Sequence, residues 1–184
     1  MKLNLKFILC FIVFLNFIQL KAQVEADSTI EINIPELEDL RFMMDTSFGV
    51  FKTKRFSNMQ SVFPSFKVYK AYIKNSEGGK QTEYTQFAMY NYVWNNLRIK
   101  HTKMMKRANS AKIDWKLTTL DSVDYRYNYY DGLEYAYVTW IINHNKKKKY
   151  IIKATCVKME ERWYIMDELV FVGALIVKKP KKKK

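Results

Sequence analysis

From Ile113 onward the apolar residues of this chain recur at every second position, and "YYDGLEY" sets the dipeptide Asp131-Gly132 between two such runs. That pair is the strongest short-range signal for a β-hairpin, because both residues of the favoured two-residue turn need positive φ. A two-residue loop there also fixes the pairing: Tyr130 with Leu133, Tyr127 with Ala136, Tyr125 with Val138 and Val123 with Trp140. The last three pairs share one apolar and aromatic face. The opposite face pairs Asn128 with Tyr135, Arg126 with Tyr137 and Asp124 with Thr139, and is more polar. A slip of one residue would invert both faces, so the register is strongly specified. The second half of the chain must then be an antiparallel sheet with one face to cover.

The same logic extends in both directions. The alternation is read from Ile113, Trp115 and Leu117 into the first strand. A turn through "NHNKKKK", centred near Lys146, sets Trp140 opposite Ile152, Val138 opposite Ala154 and Ala136 opposite Cys156. A tight turn at Glu160-Glu161 returns Trp163–Val170 as a fourth strand, with Ile165 beside Cys156 and Asp167 beside Ala154. Cys156 is therefore expected mid-strand on the covered face as a small buried hydrophobe. No Lys, Arg or His lies beside it in this register to create a reactive thiolate.

Upstream, the apolar period is helical. Leu37, Leu40, Met44, Phe48 and Phe51 recur at steps of three and four, with Pro35, Glu36, Glu38 and Asp39 suited to a helix N-terminus. Arg55–Phe63 forms a shorter segment that stops at Pro64, and Phe66, Tyr69 and Ile73 continue as another until "NSEGGK". Thr82 opens the longest helix, with Phe87, Tyr90, Trp94, Leu97, His101 and Met104 or Met105 along its seam and "ANS" at its close. Helices followed by four sequential strands predict an α+β fold, N-terminal helices packed on a curved antiparallel sheet of about four strands.

Residues 1–22 read as a signal peptide: Lys2 and Lys6 precede the apolar run Phe7–Ile18, and Ala22 marks a cleavage site. The run is shorter than the about 20 apolar residues of a membrane span. An exported protein, periplasmic or extracellular, is expected, with an extension over 23–33, a single domain over 34–177 and a tail over 178–184. Cleavage removes Cys10 and leaves Cys156 without a disulfide partner, so stability must come from packing. The formal net charge of +14 is unevenly placed. Lys178, Lys179, Lys181, Lys182, Lys183 and Lys184 form the tail, and Lys146, Lys147, Lys148 and Lys149 cluster at one turn. The body between is nearly neutral and carries no phosphate loop, zinc spacing or arginine-rich helix, so nucleic acid is not an expected partner. The lysine clusters fit an anionic surface or an acidic partner instead.

The element order, together with "YIIKATCVKMEERWYIMDEL" (strand, acidic turn, Trp, strand, Asp), resembles the nuclear transport factor 2-like superfamily over roughly Ile34–Phe171. That resemblance implies a curved sheet around helices, a conical cavity open at one end, and dimers. It also implies a range of activities, from isomerases and dehydratases to assembly subunits and exported proteins of no known activity, among which a fold cannot choose.

Tyr125, Tyr127, Trp140 and Asp167 are the residues expected to face such a cavity and a small apolar ligand. A buried Asp167 would be a usable base, with Tyr125, Tyr127 and His101 as further candidates for proton transfer. No motif of a family enzyme is matched residue by residue. "HTKMM" would suit copper(I) through His101, Met104 and Met105, but methionine at helical spacing is ordinarily core filling. No metal or cofactor is expected. The reading is an exported, non-enzymatic binding protein. Its alternatives are a small-molecule enzyme using the Asp/Tyr cavity and an envelope scaffold or adhesion protein using its basic tail.

Overall fold

The computed structural model describes residues 37–74, 78–130, 132–145 and 148–175, all within one compact unit. The expected signal peptide and extension, Asp131, Lys146, Lys147 and the lysine tail lie outside the described residues.

Helix α1, Leu37–Thr53, carries Glu38 and Asp39 in its first turn, where carboxylates oppose the helix dipole. It buries Leu40, Met43, Met44, Phe48 and Phe51 on one side. Lys54, at φ 61, then reverses the chain. The segment read from Phe56, Met59 and Phe63 is a 3-10 helix, Phe56–Val62. Helix α2, Phe66–Ile73, starts where the Ser65 hydroxyl accepts from the Val68 N–H at 3.4 Å. Helix α3, Glu83–Ser110, starts at Thr82, whose hydroxyl accepts from the Thr85 N–H at 3.3 Å. Its end is a Schellman motif: Ile113 N–H donates to Ala108 O at 3.1 Å and Lys112 N–H to Asn109 O at 2.9 Å. Lys112, at φ 57, takes the left-handed position usually given to glycine.

Four antiparallel strands follow in the order β1-β2-β3-β4: β1 Thr118–Tyr130, β2 Leu133–His144, β3 Lys148–Met159 and β4 Arg162–Ala174. The β1–β2 pairing is as read from the turn, with Tyr127 opposite Ala136, Tyr125 opposite Val138 and Val123 opposite Trp140. Trp140–Ile152, Val138–Ala154, Ala136–Cys156 and Cys156–Ile165 also pair as expected.

Two expectations need correction. Trp115–Leu117 is a 3-10 turn rather than the start of a strand, and Leu117 is 53% exposed. Asp114 organises that turn by accepting from the Lys116 N–H. Asp167 lies opposite Thr155, not Ala154, because β4 is irregular there. Between Cys156–Ile165 and Ile152–Phe171 the fourth strand spends more residues than the third, and Glu168 sits at φ 54. Bulges of this kind bend a strand and tighten its twist.

The helices cover the inner face. Ala136, Val138, Trp140, Ile142, Ile152, Ala154, Cys156, Ile165, Leu169 and Phe171 form one core with α1, the first 3-10 helix and the C-terminal half of α3. Helix α2 serves a second, smaller cluster in which Tyr69 and Ile73 bury Met159 beside Val157, Tyr164 and Met166. By strand alternation those residues face away from Cys156 and Ile165. The helical layer therefore reaches both sides of the β3–β4 hairpin.

Candidate functional site

Strand alternation puts Tyr125, Tyr127, Trp140, Cys156 and Asp167 on the inner face, but the structure does not gather them around an empty cavity. Trp140 is fully buried, stands edge-on to Phe51 at 5.4 Å, and donates its indole N–H to Met44 O at 3.0 Å. It is a core residue with its one donor taken. Cys156 is also fully buried, and burial drives its thiol pKa well up. Its unreactive character follows directly. Tyr125 is partly buried against the same core.

Asp167 forms an ion pair with Lys100 of α3, both side chains about one third or less exposed, at 31% and 30%. Burial lowers the Lys100 pKa, with the charge of Glu168 opposing. His101 follows next on the helix and is directed elsewhere. It packs beside Phe56 at 5.6 Å between ring centres, and burial lowers its pKa. His101 borders a shallow groove of about 650 Å³ with Lys54, Phe56, Met105, Lys106 and Asn109. A second groove follows α1 and the first 3-10 helix, and neither is lined by Tyr125, Tyr127, Trp140 or Asp167. Met104 and Met105 are core residues.

What the inner face does assemble lies at the end where the β1–β2 and β3–β4 hairpins turn. The Tyr127 hydroxyl donates to Glu134 Oε2 at 3.1 Å, and Lys158 Nζ approaches the same oxygen at 3.4 Å. The Lys158 side chain is only 8% exposed and that of Glu134 27%. Trp163, opposite Lys158 in the ladder, stands edge-on to Tyr127 at 6.2 Å. Its indole Nε1 is buried and has no hydrogen-bond partner among the described residues. Each of the four strands supplies one member.

Of this group only Tyr127 was expected from the sequence. The missed signal was parity: Glu134 is two residues before Ala136, and Lys158 two after Cys156, so both had to share the inner face. Chemically the group offers a phenol, a carboxylate already holding a cation, and a free indole donor. That is recognition chemistry, with its charged pair internally neutralised. The residues do not form a metal site, since among the described residues no three His, Cys, Asp or Glu side chains converge.

The lysine candidates behave differently from one another. Lys149 is held by Asp121 at 2.6 Å, and that hydrogen bond keeps the Asp121 carboxyl below its ordinary pKa. Lys148 is exposed at the start of β3. No family model, curated protein or solved structure matches this chain.

Proposed function

We propose that this chain is an exported, non-enzymatic binding protein of the cell envelope, with the cone-like architecture of the nuclear transport factor 2-like superfamily. It holds a small ligand at the hairpin end of the inner face. The observation that carries this reading is the buried indole N–H of Trp163 beside Tyr127, which has no acceptor among the described residues. A buried donor without an acceptor is costly, and a ligand acceptor would recover that cost. The neighbouring Ala136, Cys156 and Ile165 are apolar, so the ligand class is an apolar body with one carbonyl or ether oxygen. Catalysis is less well supported, because Tyr127 and Asp167 are already engaged by Glu134 and Lys100.

Native mass spectrometry of the protein purified from its own source tests the reading. The expected result is a small molecule carried by the wild type and lost from Trp163→Phe, which keeps a ring and deletes the N–H. Equal retention by the variant would remove the donor from the site, and a ligand-free wild type would remove the site altogether.

A second reading, adhesion to an anionic surface, is favoured by the charge distribution. With Lys149 committed to Asp121, the six lysines of Lys178–Lys184 are the larger cluster of positive charge in the sequence.

A further inference from the structure

The groove that His101 borders is walled from two directions, by Lys54 and Phe56 after α1 and by Lys106 and Asn109 toward the end of α3. Neither Tyr127 nor Trp163 lines it, so it is separate from the hairpin-end site. Its charge has one sign. From Tyr84 to Ile113 the chain holds six Lys or Arg and no Asp or Glu. Lys54 and Lys106 are exposed, and neither has an ion-pair partner among the described residues. No described Asp or Glu lines the groove to neutralise them.

The same wall holds an unanswered polar group. His101 is 3% exposed, and its Nε2 has no hydrogen-bond partner among the described residues. Such an atom is costly to bury alone. Two further lining side chains, Thr102 and Ser110, turn their hydroxyl protons back to the helix, onto Arg98 O at 2.9 Å and Lys106 O at 3.0 Å. With those protons spent, the two hydroxyls have only lone pairs left for a ligand. The groove therefore offers cations and an imidazole for an acid group, and acceptors for hydroxyl donors. Phe56, partly buried with its ring 5.6 Å from that of His101, adds an apolar wall.

We propose that this groove binds a small organic anion rich in hydroxyls, an acidic sugar of monosaccharide size. Its carboxylate or phosphate is held by Lys54 and Lys106 through charge-assisted hydrogen bonds. Its hydroxyls donate to Thr102 and Ser110, and its carbon skeleton lies on Phe56. His101 Nε2 is shielded from solvent, so the anion reaches it when Met105 yields. Met105 stands one turn along the same helix face, and a thioether chain adapts readily. Both lysines also lie near helix C-termini, Lys54 just after α1 and Lys106 toward the end of α3, where cations oppose the helix dipole. That role needs no ligand, so the deciding measurement is ligand binding seen at His101, not stability.

Titration of the full chain with glucuronate or glucose 6-phosphate, followed by NMR of the His101 imidazole, tests this. At least one of the two should give saturable shifts with a dissociation constant of about 1 mM or tighter. Glucose lacks the charge and inorganic phosphate lacks the hydroxyls, so each should bind about tenfold or more weakly by comparison. Lys54→Gln and Lys106→Gln should each weaken the acidic sugar by about fivefold or more. Lys103 is exposed on the same helix but does not line the groove, and Lys103→Gln should change binding by less than about twofold. No saturable shift with either acidic sugar at about 20 mM overturns the proposal. So does glucose or inorganic phosphate binding as tightly, or Lys103→Gln weakening binding as much as the two groove variants.

Discussion

Lys100 and Asp167 join α3 to β4 by an ion pair at one of the places where the fourth strand departs from regular pairing. The irregularity puts Asp167 opposite Thr155 on a strand that the long helix covers, so the acid meets an ammonium instead of an empty cavity. Removing the carboxylate with Asp167→Asn should cost about 1 kcal/mol, the upper range for a partly exposed pair. A double-mutant cycle with Lys100→Met, read by urea denaturation, should recover most of that as coupling. No coupling would mean that each residue acts alone.

His101 gives the protein an acid sensitivity of definite sign. Burial lowers its folded-state pKa below the ordinary 6.5, and Lys54 and Lys106 border the same groove. Below pH 6.5 the unfolded chain binds a proton that the folded chain resists, so stability must fall as pH drops through that window. His101→Phe should flatten the melting temperature between about pH 7 and pH 5.5 relative to wild type. An unchanged slope would place the titrating group elsewhere.

Cys156 is expected to react with thiol reagents slowly in the native protein and rapidly in denaturant. Its removal by Cys156→Ala should cost about 1 kcal/mol, and Cys156→Asp far more, since an unpaired charge would enter the core. Fast native labelling would show that the inner face opens readily.

Two backbone positions give opposite predictions. Gly132 is at φ 78 in the first hairpin, so Gly132→Val should destabilise by about 2 kcal/mol. Lys112 occupies the left-handed cap of α3 at φ 57, so Lys112→Gly should stabilise by about 0.5–1 kcal/mol. Thermal melts of the two variants should move in opposite directions.

Deleting Lys178–Lys184 should change folding stability by less than about 0.5 kcal/mol. If the tail is adhesive, full-length protein should bind anionic vesicles, release on raised salt, and bind hardly at all once truncated. Each lysine near such a surface contributes roughly 1 kcal/mol within a Debye length of about 8 Å. Equal binding by both forms would leave the tail without that role.

Most of the sheet was legible because period two and a two-residue turn together leave little freedom. Val123–Trp140 and Cys156–Ile165 could be paired from the sequence, and both are paired in the structure. The irregularities of β4 were not legible, because Ile165, Asp167, Leu169 and Phe171 keep an unbroken alternation through them. Trp115 was misassigned for a related reason: Ile113 and Trp115 are both buried, and a 3-10 turn can bury two residues at that spacing as well as a strand does. The Glu134–Lys158 pair went unseen because two charges on an apolar face look like noise until the register shows them adjacent. Lys100 was not legible because it lies outside the apolar seam of α3 to which its neighbour His101 belongs.

The simple strand order has a consequence for how the chain is made. Every ladder closes through a short turn, but the helices come first, and Met44 O waits for the Trp140 indole across most of the domain. Synthesis from the N-terminus therefore releases Leu40, Met44, Phe48 and Phe51 long before their β-sheet partners exist. Until the strands leave the ribosome, that stripe can pack only against the helical segments that follow it. A chain emerging in this order exposes apolar surface while incomplete, and the interval of exposure is set by the length of β1 through β4.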